Sequence, residues 1–112
     1  MHGTLTPTSG EHATRRLLDQ LWQRNLPTTH SRIALFTAAA EAARNGVLTP
    51  ALREQATTEA HKLAGSLGMF GYGRGTDLAR EIELYLESTA AVDSHHLTTL
   101  TAQLNSVLFP SN

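Results

Sequence analysis

The chain has 112 residues, enough for one domain with a core of its own, and no cysteine, so it has neither a disulfide framework nor a thiolate metal site. Its formal charge of −1 comes from ten acidic and nine basic residues, eight of them arginines scattered along the chain, which argues against a nucleic-acid binder. No apolar run approaches the ~20 residues of a membrane span and no signal-peptide core opens the chain, so a cytoplasmic protein is expected.

Residues 1–10, with Thr6, Pro7, Ser9 and Gly10, read as a flexible N-terminal tail, and residues 11–112 as a single helical domain. Leu17, Leu18, Leu21 and Trp22 fall at helical spacing in a first, accessory helix over 11–24, which Asn25 and Pro27 should end. Thr28 or Thr29 can then cap a second helix to about Arg44, with Ile33, Leu35, Phe36, Ala39, Ala40 and Ala43 on a broad apolar face and Gly46 as the stop. Thr49 before Pro50 is a start signal, a capping hydroxyl followed by proline at the first helical position. The helix it opens carries Leu52, Ala56, Ala60, Leu63 and Leu67 as its inward stripe.

Gly71, Gly73 and Gly75 fit a turn between helices better than a phosphate cradle, and Met69, Phe70 and Tyr72 beside them fit a cap on the core better than a cofactor box. Thr76 or Asp77 should open a helix with Leu78, Ile82, Tyr85 and Leu86 on one face, ending near Thr89. Asp93 or Ser94 should cap the last helix, with Leu97, Leu100, Leu104, Val107 and Leu108 inward and Pro110 closing it. No segment alternates with period two, so no strand is expected. Short links between helices favour antiparallel neighbours: an all-α, antiparallel up-down four-helix bundle with an additional N-terminal helix.

Within this layout His61 stands beside the inward stripe, on the edge of the bundle, with Thr57 and Thr58 one turn before it, Gly65 one turn after and Gly68 beyond. Each glycine inside a helix costs roughly 1 kcal/mol against alanine, so a helix that keeps Gly65 and Gly68 beside an imidazole has another use for bare surface there. Close approach of another protein is such a use. A neutral imidazole carries a nitrogen lone pair and is an established nucleophile, able to accept a phosphoryl group and pass it on. Lys62, the only lysine of the chain, is next to His61 and could reach back to assist electrostatically.

His95 and His96 are adjacent, so on a helix they diverge, and a solvated helix start explains them better than a metal site. His2, His12 and His30 read as surface residues, and Glu81 and Glu87 as a solvated face.

The run His61-Lys62-Leu63-Ala64-Gly65-Ser66, continued by Leu67-Gly68-Met69-Phe70-Gly71 and, further on, by Leu78, Ile82 and Glu83, resembles the phosphoacceptor helix of histidine-containing phosphotransfer (HPt) domains. That resemblance implies a four-helix bundle in which His61 takes a phosphoryl group from the aspartyl phosphate of a response-regulator receiver domain, or from a histidine kinase, and delivers it to another receiver. It implies further that the receiver brings the Mg²⁺, that this chain binds no cofactor or metal and has no ATP-dependent kinase activity, and that partners meet a monomer transiently. The docking surface would include Thr57, Thr58, Gly65 and Gly68. Members commonly carry a lysine three residues after the histidine, where this chain has Ala64, with Lys62 as a substitute. Many place a glutamine on the facing helix against the non-reacting ring nitrogen, and here the matching position is Glu83, whose carboxylate would hold that nitrogen protonated but repel a bound phosphoryl group. Two other functions fit less of the sequence: a non-phosphorylated adaptor that binds a receiver or kinase, and an enzyme using His61 as general base, for which no companion nucleophile or metal set converges.

Overall fold

A computed structural model describes residues 9–111. Four helices follow one another, α1 (Ser9–Arg44), α2 (Pro50–Met69), α3 (Gly73–Ser88) and α4 (Ser94–Leu108), with no strand among the described residues. Helix α1 packs on α2 and α4, and α3 on the same two, which closes an up-down bundle. Among the described residues no helix is long and apolar enough to cross a membrane. The expected tail at 1–10 lies outside the described residues up to residue 8, while Ser9 and Gly10 already belong to α1.

The expected break near Asn25 and Pro27 does not occur, so the accessory helix over 11–24 is the first part of a continuous 36-residue α1. A proline inside a helix removes one backbone hydrogen bond and crowds the preceding turn, at about 3 kcal/mol. The carbonyl left without a donor is that of Gln23, an exposed residue, where water can serve it. Contacts on either side hold the helix through the defect. Trp22 packs edge-on against Phe70 and lies 4.8 Å from the Tyr72 ring, while Asn25 donates to Thr29 Oγ1 (3.2 Å) and to Ser66 Oγ (3.0 Å). Thr28 and Thr29 are therefore mid-helix residues, and Thr29 is fully buried.

The other boundaries follow local chemistry. Gly46 (φ +72°) and Gly71 (φ +82°) adopt the left-handed conformation that ends α1 and α2, and the following amides, Val47 and Tyr72, return to Ala42 and Leu67 carbonyls. Thr49 accepts from the Leu52 amide (3.1 Å), and Asp93 from that of His95 (3.1 Å), capping α2 and α4. Replacing Thr49 by alanine is expected to lower stability by about 1 kcal/mol, measurable by urea denaturation. Helix α3 begins at Gly73 rather than Thr76, so Gly75 lies in its first turn. A Cβ there would stand 3.1 Å from both Leu67 and Leu108 side chains, and the missing side chain lets α3 approach its neighbours.

The core is aliphatic around one aromatic ring, with Phe36, Leu63, Leu67, Ile82, Leu86, Leu97 and Leu104 fully buried. Three polar pins fix α2 laterally. On one flank Arg32 pairs with Glu59 at 3.0 Å, and Asn25 holds Ser66. On the other, the Arg53 guanidinium donates to the Leu86 carbonyl (2.8 Å) and to that of Thr89, closing the C-terminal end of α3.

Candidate functional site

Helices α2 and α3 run antiparallel, and their register is fixed at two places. His61 meets Glu83, and two turns further along α2 the Cα of Gly68 sits beside Thr76, whose Oγ1 would lie 3.7 Å from a Cβ at that glycine. His61, Gly65 and Gly68 follow each other by four and three residues along α2, so they share one face, and the ridge they form runs along α3.

The His61 side chain is 75% exposed, while Glu83 beside it is 17% exposed. Nδ1 of the ring lies 2.8 Å from Glu83 Oε2. A carboxylate can only accept in this contact, so Nδ1 carries the proton, and in the neutral ring the lone pair is on Nε2. The buried end of the pair orients the ring and the exposed end bears the free lone pair. No other hydrogen bond to the imidazole is made by any described residue.

Neither glycine of the ridge is required by packing within the bundle. A Cβ at Gly65 would meet nothing within 4 Å, and at Gly68 only an ordinary contact with Thr76. Both glycines are exposed, as is Thr58, whereas Thr57 is half-buried and its hydroxyl donates to the Arg53 carbonyl at 2.8 Å. Thr57 thus helps bound the site but spends its donor inside its own helix.

Lys62 lies elsewhere. Its Nζ is 3.3 Å from Glu59 Oε2, and Glu59 also receives Arg32 from α1, so the lysine closes a three-residue ion chain on the α1 side of α2. The Arg32 guanidinium, donating into the Glu59 carboxylate, holds the Glu59 pKa below the usual range, with Lys62 acting in the same direction against partial burial. A carboxyl whose pKa is lowered by folding contributes stability above its unfolded pKa and loses it as pH falls through the folded value. Glu59→Gln is accordingly expected to cost about 1 kcal/mol or less at pH 7 and progressively less as the pH falls below the unfolded value, as followed by urea denaturation over that range.

Among the described residues no group of three or more His, Asp or Glu side chains is placed to hold a metal ion. His96 packs edge-on against Tyr85, and His30 stacks on Phe109 at 4.4 Å, structural contacts that their sequence positions did not disclose. Ala64, three residues after His61, is buried against α3, with its carbonyl 3.4 Å from Thr76 Oγ1.

Comparison with known proteins bears on the family of the chain. The family model described as "Hpt domain" matches residues 20–108. Protein RcaC of Microchaete diplosiphon is 28% identical over 92 residues, which are 82% of this chain and 14% of RcaC, so the chain spans about one seventh of that relative. No solved structure gives a significant match.

Proposed function

Since the chain belongs to the Hpt domain family, whose members serve histidine phosphotransfer in phosphorelays, we propose that His61 is its phosphoacceptor, charged by a receiver aspartate or a kinase and discharged to a receiver. The observation that carries this reading is the exposed imidazole whose Nδ1 is held at 2.8 Å by Glu83. In the transfer, the Nε2 lone pair attacks the phosphorus of an aspartyl phosphate, an N–P bond forms, and the acyl phosphate P–O bond breaks with its electron pair returning to the receiver carboxylate. The reverse sequence recharges a second receiver. Glu83 keeps the Nδ1 proton in place throughout and prevents the ring from turning its protonated edge outward.

Mg²⁺ in this scheme is supplied by the receiver's own acidic pocket. Thr57, Thr58, Gly65 and Gly68 border the surface that the receiver covers, and the low profile of the two glycines admits it to bonding distance of the ring. Electrostatic help from Lys62 would require its ammonium to leave Glu59. Incubation with a phosphorylated receiver and Mg²⁺ tests the reading: acid-labile, alkali-stable phosphate should appear on the chain as it leaves the receiver. A stable complex without such transfer would identify a receiver-binding adaptor instead.

A further inference from the structure

Two negative groups meet when His61 is phosphorylated. The phosphoryl group brings about two charges into a site where Glu83 already holds the ring and Glu87 follows one turn later on the same helix. The position three residues after His61, Ala64, is an apolar residue buried against α3, and Lys62 is engaged with Glu59. Some other cation is needed.

The register of α2 and α3 singles one out. Thr76, Arg80 and Glu83 follow each other by four and three residues, so they share one line along α3. Both ends of that line touch the ridge of α2, Thr76 at Gly68 and Glu83 at His61. Arg80 lies between them and therefore across from Gly65, which also lies between, on the other helix. Arg80 is exposed and makes no hydrogen bond or ion pair with any described residue. Opposite it, Gly65 leaves open space where a side chain would stand. The remaining nearby arginines are engaged or turned aside: Arg53 on the α3 carbonyl end, Arg32 on Glu59, and Arg74 beside Thr98 and Ala102 of α4.

We propose that Arg80 supplies the positive charge for the phosphoryl group on His61, its guanidinium folding across the bare surface of Gly65 to donate to the phosphoryl oxygens. The planar fork suits that target, since two N–H groups can meet two oxygens of one phosphoryl group. In the resting protein the guanidinium remains solvated and its ordering is deferred until the phosphoryl group arrives. The glycine at 65 then has two uses, admitting the receiver and leaving room for the arginine. This inference rests on His61 being the phosphoacceptor.

Phosphoramidate, a small reagent that phosphorylates histidine without a partner protein, separates the two. The wild type, Arg80→Ala, Arg80→Lys and Arg74→Ala are each charged with it, freed of reagent, and followed for the half-life of the acid-labile phosphate and for the rate of transfer to a receiver with Mg²⁺. Arg80→Ala is expected to shorten the half-life or slow charging on the order of tenfold, Arg80→Lys to recover most of the loss, and Arg74→Ala to match the wild type. A side-chain nitrogen NMR spectrum of the uncharged variants should show the His61 ring in the same tautomer in all four. A wild type that charges normally alongside an Arg80→Ala variant equal to it in half-life, charging and transfer would overturn the role of Arg80 while leaving His61 in place. A wild type that takes no phosphate on His61 would overturn both.

Discussion

Replacing His61 by glutamine is expected to abolish phosphorylation by a charged receiver completely while leaving the fold unchanged. The side chain is three-quarters exposed, and its one polar contact among the described residues is the Glu83 carboxylate, to which a glutamine amide can also donate. Substitutions at such exposed positions usually stay within ±0.5 kcal/mol, so the thermal midpoint should move little. Glutamine has no nucleophilic nitrogen, because its amide lone pair is delocalised into the carbonyl. The measurement is paired: acid-labile phosphate after incubation with phosphorylated receiver, and a melting curve of the same sample. Residual acid-labile phosphate on His61→Gln would place the acceptor elsewhere, among the remaining five histidines.

Introducing tryptophan at Gly65 should separate stability from function in the opposite sense. Space around a side chain at this position is open, and any residue but proline is a better helix former than glycine, so the variant is expected to be more stable by up to about 1 kcal/mol. The same indole would stand on the ridge beside His61 and hold a receiver away from the ring. Transfer needs reacting atoms about 3 Å apart, and a displacement near 1 Å can cost on the order of a hundredfold in rate. Phosphoramidate is small enough to reach Nε2 past the obstacle. Because the indole also fills the room proposed for Arg80, phosphoramidate charging should fall no further than in Arg80→Ala while transfer from the receiver falls well below that, and unchanged transfer would show that partners do not approach over Gly65.

Much of this architecture is written in local sequence. The caps at Thr49 and Asp93, the left-handed glycines at 46 and 71, and the leucine stripes of α2 to α4 all depend on neighbours within a turn or two, and each is found where those neighbours place it. Pro27 was not legible in that way. Its local cost is opposed by Trp22 and Asn25 reaching partners at positions 66 to 72, some forty residues later in the chain. Arg53 reads in sequence as one more solvated charge, and its part in finishing α3 depends on the turn that brings Thr89 beside it.

The site divides along the same line. His61 and its glycines stand out because they are close in sequence, and Glu83 could be aligned with them through the family resemblance. The fate of Lys62 could not, since Glu59 competes for it from one turn earlier and is itself oriented by Arg32 on another helix. Arg80 carried no local signal at all. Only the antiparallel register, set by contacts at Glu83 and Thr76, brings it opposite Gly65.

The pins on both flanks of α2, Asn25 and Arg32 from α1 on one side and Arg53 reaching out to α3 on the other, bear on how recognition proceeds. A helix held at three levels has few ways to bend or roll, so the imidazole is presented from a surface already in its working shape. On the proposed reading, encounter with a phosphorylated partner is a matter of rigid-body alignment, with backbone shifts of about 1 Å or less expected between the solitary and engaged forms. Most of the entropy cost of arranging the imidazole is met during folding, before any partner arrives.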